Sequence, residues 1–163
     1  MAPLRAGQED ALRGTLAALP SGPDSPFSRV ASTHFCRWVL VEALLDGNGE
    51  PAEPARSYLL FSADFDGSLE DWANAVAQEI GAEVDAVLEH CEGYPGSRDA
   101  RAFLDFLGEH RIAVGFSVIS YRSTVAAIRE SLELRRELRD FAATSQGLGA
   151  SELRRAWGER FGA

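Results

Sequence analysis

Three short stretches of this chain hold the residue types from which an active or binding site could be built. His34-Phe-Cys36-Arg37-Trp38 offers an imidazole, a thiol and a guanidinium within five positions. Asp64-Phe-Asp66-Gly-Ser68 offers two carboxylates, and His90-Cys91-Glu92 offers three potential metal ligands in a row. His34 has the chemistry of a general base or of a metal or cofactor ligand, although a lone strand histidine is more often a hydrogen-bonded structural residue. Arg37 lies in an apolar run, so if buried it needs a partner. A carboxylate such as Asp64 or Asp66 would make a structural clamp with it, and an anionic substrate would make a binding site. Zinc would require the two His/Cys segments to meet. Neither has the spacing of a structural zinc site, and no metal is expected. The Asp64–Ser68 carboxylates read first as helix-capping groups and only secondarily as oxygen ligands for a divalent cation.

Other reactive groups are missing. There is no GxSxG, and His34, His90 and His110 form no recognisable triad. All 16 basic residues are arginine. Without lysine there is no Schiff base, pyridoxal-phosphate anchor or P-loop lysine. The formal charge of −9 argues against nucleic acid and against an anionic membrane as partners. No leader-like apolar segment opens the sequence, and the two cysteines show no scaffold spacing, so a reduced, cytoplasmic chain is expected.

The elements that would position these groups can be read from periodicity. A short strand is expected over Met1–Arg5, then a helix over Gln8–Leu19 with its stripe at Leu12, Leu16 and Leu19, stopped by Pro20. Strands follow over Thr33–Leu44 and Arg56–Asp64, joined by the turn-rich Asp46–Pro54. Ser68 opens a helix with apolar positions Leu69, Trp72, Val76 and Ile80, and a further segment carries Val84, Val87 and Leu88. A helix over Asp99–His110, a strand over Ile112–Tyr121 and a charged helix over Thr124–Ala143 complete the pattern. Residues 1–145 read as one domain, and 146–163 as a helical tail with Leu153, Trp157 and Phe161. The order is that of a ferredoxin-like α+β domain, a βαββαβ antiparallel sheet with helices on one face.

Strand alternation then nominates a site. Each strand has one nearly apolar face and one mixed face. The mixed faces together would present His34, Cys36, Trp38, Tyr58, Ser62, Asp64, Ser117 and Tyr121. With His34 and Arg37 as acid–base and anion-anchoring residues and Asp64 orienting one of them, that surface would be a small-ligand pocket. The same aromatic-rich surface would equally suit a subunit interface.

The stretches SPFSRVASTHFCRWVL, LLFSADFDGS and HCEGYPG, with the order of elements, resemble the dimeric α/β-barrel superfamily and its uncharacterised bacterial members. That group includes antibiotic-biosynthesis monooxygenases, chlorite dismutases and dye-decolourising peroxidases. The resemblance implies a sheet whose uncovered face either packs against a partner, as in a homodimer, or encloses a cavity for a small organic ligand; it does not itself imply haem, and haem or no cofactor is an analogy of fold alone. No GxxDG segment is present, and no residue maps onto a haem ligand. The function expected is therefore a small-ligand-binding domain, an oxidoreductase or monooxygenase if it is an enzyme. The alternative is a non-catalytic dimerisation or interaction module.

Overall fold

In a computed structural model, which describes residues 1–45, 48–52, 56–112 and 123–162, the chain folds into two compact units, Met1–Val125 and Ala126–Ala163. The first begins with β1 (Ala2–Pro3) and α1 (Glu9–Ala18), followed by two single 3₁₀ turns, Gly22–Asp24 and Pro26–Arg29. Next come β2 (Thr33–Val41), a small ribbon of β3 (Leu44–Leu45) and β4 (Pro51–Ala52), and β5 (Tyr58–Phe65). Helices α2 (Leu69–Leu88) and α3 (Ala100–Glu109) follow, and α4 (Val125–Thr144) and α5 (Ala150–Phe161) form the second unit, which α4 enters after its first residue. No helix among the described residues is long and apolar enough to cross a membrane.

The class is α+β, but the ferredoxin-like four-stranded sheet is not what the chain builds. The main sheet has three antiparallel strands among the described residues, in the order β1-β5-β2. The outer edge of β1 is engaged by the turn after α2. Leu4 bridges Cys91, the Arg5 amide donates to the His90 carbonyl and the Glu92 amide donates to the Pro3 carbonyl, each over 2.9 Å. Backbone groups so satisfied cannot template another strand there. The expected strand Ile112–Tyr121 lies, after Ile112, outside the described residues.

Local chemistry explains the elements. Ser68 caps α2 by accepting the Asp71 amide at 3.1 Å and donating its hydroxyl to the Asp71 carboxylate at 2.6 Å. Gly67 makes the turn into that cap with φ +89°, where a side chain would be strained. Asp99 caps α3 through the Arg101 and Ala102 amides. Helix α2 kinks at Ile80 (φ −139°, ψ 22°), beside Gly81. The core lies between one sheet face and α1, α2 and α3. It contains Leu12, Phe27, Leu59, Trp72, Val76, Ile80, Val87 and Phe103.

Candidate functional site

The β2–β5 register decides where every candidate side chain goes. Cys36 lies opposite Ala63, Trp38 opposite Phe61 and Leu40 opposite Leu59, and all six pack against the helix-covered core. Phe35 lies opposite Asp64, Arg37 opposite Ser62, Val39 opposite Leu60 and Val41 opposite Tyr58, so these eight share the other face. The expected single mixed face is therefore divided. Cys36 and Trp38 are under the helices, while Tyr58, Ser62 and Asp64 are on the far side with Arg37. Ser117 and Tyr121 lie outside the described residues.

Beneath the helices an aromatic stack fills the volume that a ligand would need. Trp38 and Phe61 stack with ring centres 4.0 Å apart, Phe61 and Trp72 lie 5.9 Å apart, and Phe65 stacks on Trp72 at 4.7 Å. Phe27 closes the group against Trp38, Phe61 and Trp72. The Trp72 indole donates to the Thr33 hydroxyl at 2.9 Å, as a buried Trp N–H requires. Burial pushes the Cys36 thiol up to about 11, and the Cys91 thiol likewise to about 11. Both are therefore protonated at neutral pH, which suits neither a nucleophile nor a metal ligand.

His34 is the extra residue of a β-bulge: Thr33 pairs with Phe65 and Phe35 with Asp64, leaving His34 between them. Its ring Nε2 meets Asp66 Oδ1 at 2.9 Å, so the carboxylate that holds it is Asp66 rather than the expected Asp64. The other oxygen of Asp66 accepts the Val125 amide at the start of α4 at 2.8 Å. The Val125 amide first, and then His34, hold the Asp66 carboxyl below its ordinary range. This arrangement is a junction between the bulge, the end of β5 and the first residue of α4.

The remaining chemical groups serve the fold. His90 is nearly buried, with Nδ1 2.8 Å from the Gln8 side-chain oxygen and Nε2 3.2 Å from the Thr15 hydroxyl. Among the described residues no group of three or more His, Cys, Asp or Glu is placed to hold a metal ion. His110 Nδ1 donates to the Phe106 carbonyl in its own helix. A cluster that sequence reasoning missed ties down the Cys91–Ser97 turn: Asp85 accepts the Tyr94 hydroxyl at 2.6 Å and the Ser97 amide at 2.8 Å. Burial, reinforced by Asp85, raises the Tyr94 phenol above its ordinary value. Ser97 is buried so close to Gly81 that a Cβ there would lie 2.7 Å from its hydroxyl.

The outward sheet face is the surface that remains. Phe35 is 55% exposed, Arg37, Ser62 and Asp64 are exposed, and Val39, Val41, Tyr58 and Leu60 are half-buried around them. The second unit, taken by itself, closes on Phe141, Trp157 and Phe161, whose ring centres lie 4.6 to 5.4 Å apart. It leaves Leu132, Leu134, Leu138, Leu148 and Leu153 exposed, and Trp157 itself stays half open to solvent. No protein-family model, no curated protein and no solved structure matches this chain.

Proposed function

We propose that the chain is a non-catalytic association module that meets its partner through the outward face of the β2–β5 sheet. The observation that carries this reading is the exposure of Phe35 among half-buried apolar neighbours, on the same face as an exposed arginine and aspartate. Aromatic residues and arginine are the groups that interfaces concentrate. The groups required for catalysis are committed elsewhere. One His34 nitrogen is bound to Asp66, both thiols are held protonated, and Trp38 is packed in the core.

The size of the face sets the expected strength. Nine residues of β2 span about 30 Å, and β2 and β5 together cover roughly 10 Å across, a projected area on the order of 300 Å². Standard interfaces bury about 800 Å² per partner, so an association resting on this face belongs to the weak, reversible class.

Site-specific crosslinking tests the role without presupposing the partner. A photoreactive benzophenone side chain at position 35 should give a discrete polypeptide adduct in extracts of the source cells. The same group at position 13, on exposed α1, should not. An empty lane at position 35, or tightly bound chromophore or metal in the purified chain, would overturn the reading.

A further inference from the structure

We infer that the partner is an amphipathic helix of another polypeptide, laid along the β2–β5 strip so that its apolar stripe covers Val39, Leu60, Val41 and Tyr58. The inference rests on the association role just proposed and names the chemistry of the occupant. The outward residues stand in four rows along the strip: Phe35 with Asp64, Arg37 with Ser62, Val39 with Leu60 and Val41 with Tyr58. The two rows at the Val41 end are apolar but for the Tyr58 hydroxyl, and half-buried. Beyond the polar second row, the exposed Phe35 continues the apolar surface. Rows two residues apart lie about 7 Å from one another, so the four span about 20 Å.

The shape of the strip selects this occupant. β1 is two residues long and adds Pro3, opposite Tyr58, to the outward face. For most of its length the strip is therefore two strands, about 10 Å, wide. An α-helix with its side chains is about 10–12 Å across, so a single helix fills the strip from edge to edge. A globular partner fits it poorly: a standard interface needs about 800 Å² on each side, and the strip offers on the order of 300 Å². The length fits too. A helix rises about 20 Å in some 13 residues, and a stripe at i, i+3, i+4 and i+7 then presents about four or five apolar side chains to the four rows. Helices already cover the opposite sheet face, so a docked helix completes a helix–sheet–helix sandwich.

Photocrosslinking from two points along the strip provides the test. Benzophenone side chains at position 35 and, in a second variant, at position 41 stand at the two ends of the rows, about 20 Å apart. Adducts are formed in extracts of the source cells, and the attachment site on the partner is located by peptide mass spectrometry. The spacing of the two sites, rather than capture itself, carries the result. A helix advances about 1.5 Å per residue, so the sites should lie about 13 residues apart, in one segment whose apolar residues recur every three or four positions. An extended segment, rising about 3.3 Å per residue, would put them about 6 residues apart. Circular dichroism checks that each variant keeps the fold. Where position 41 does not tolerate the probe, position 39 takes its place, with an expected separation of about 9 residues. Sites about 6 residues apart on an extended segment, as a strand requires, sites in unconnected segments, an adduct from position 35 alone, or adducts to a second copy of this chain overturn the helix and leave the association role standing. No adduct at position 35 overturns the association role and the helix with it.

Discussion

Replacing Trp38 by alanine and, separately, Phe35 by serine tests the face assignment on which the site depends. The two residues are three positions apart on β2, yet the register sends them to opposite sides of the sheet. Trp38 touches Phe61 at stacking distance and packs on the core, so its removal leaves a cavity in the aromatic group. Trp→Ala substitutions cost about 3–5 kcal/mol, and because Trp38 is only partly buried we expect the lower end, about 3 kcal/mol. In a chain of 163 residues each kcal/mol moves Tm by about 2–4 °C, giving a fall of roughly 6–12 °C. Phe35 is more exposed than buried, so its replacement should change stability by no more than about 0.5 kcal/mol, or about 2 °C. Far-ultraviolet circular dichroism and calorimetry read both changes. The chain is kept dilute, because any association would add a concentration-dependent term. The outcome that refutes the reasoning is the reverse ranking, with Trp38→Ala near neutral and Phe35→Ser costly.

Three further outcomes are expected. Asp85→Ala removes the acceptor of the Tyr94 hydroxyl and the Ser97 amide, and should cost about 2–4 kcal/mol in urea unfolding against about 1 kcal/mol for Tyr94→Phe; equal, small effects would mean that the turn does not depend on this carboxylate. The Cys36 and Cys91 thiols should alkylate slowly at neutral pH in the folded chain and rapidly in denaturant. Because folding raises them from an ordinary 9 to about 11, the folded state binds more protons over that interval and stability should fall as pH rises through it; alanine at both positions should flatten that limb, and an unchanged limb would contradict the assignment. Asp66 is shifted the other way, so its contribution is present above the ordinary carboxylate value of 3.8 and is lost as pH falls through its lower folded value. Amide exchange by NMR should show the Val125 amide less protected in Asp66→Ala, and an unaltered rate would break the link between Asp66 and Val125.

Much of the scaffold was legible. The helix over Gln8–Leu19, the Ser68 start of α2 and the strands around Trp38 and Phe61 follow from periodicity, capping chemistry and β propensity, and appear where expected, whereas the separate segment expected to carry Val84, Val87 and Leu88 continues α2 beyond a kink at Ile80. The sheet was misjudged because strand number depends on long-range pairing that local patterns do not encode. Nothing in Met1–Arg5 says that its second edge will pair with His90–Glu92. The Asp85 cluster escaped for a related reason: an aspartate in an apolar stretch of helix and a tyrosine nine residues later look unrelated until the turn folds back.

The divided site has a sharper explanation. Alternation fixes which residues of one strand share a face, but it leaves open how the faces of two strands join, and a one-residue shift exchanges them. Here even-numbered residues of β2 lie with odd-numbered residues of β5, and the bulge at His34 changes the count again at one end. A connection as long as the one between Val41 and Tyr58 imposes no register of its own. The signal that could have settled the matter is Arg37. Both faces of β2 hold three largely apolar residues and one polar exception, but the exceptions differ in the energy of burying them. An imidazole can be buried neutral with one or two hydrogen bonds, whereas a guanidinium stays charged and needs a paired carboxylate and several acceptors. The face with Arg37 must therefore be the one turned outward, which takes Phe35, Val39 and Val41 with it, and the register adds Asp64 of β5. The same inequality that hides Trp38 from any ligand leaves an arginine and an aspartate exposed side by side on the outward face.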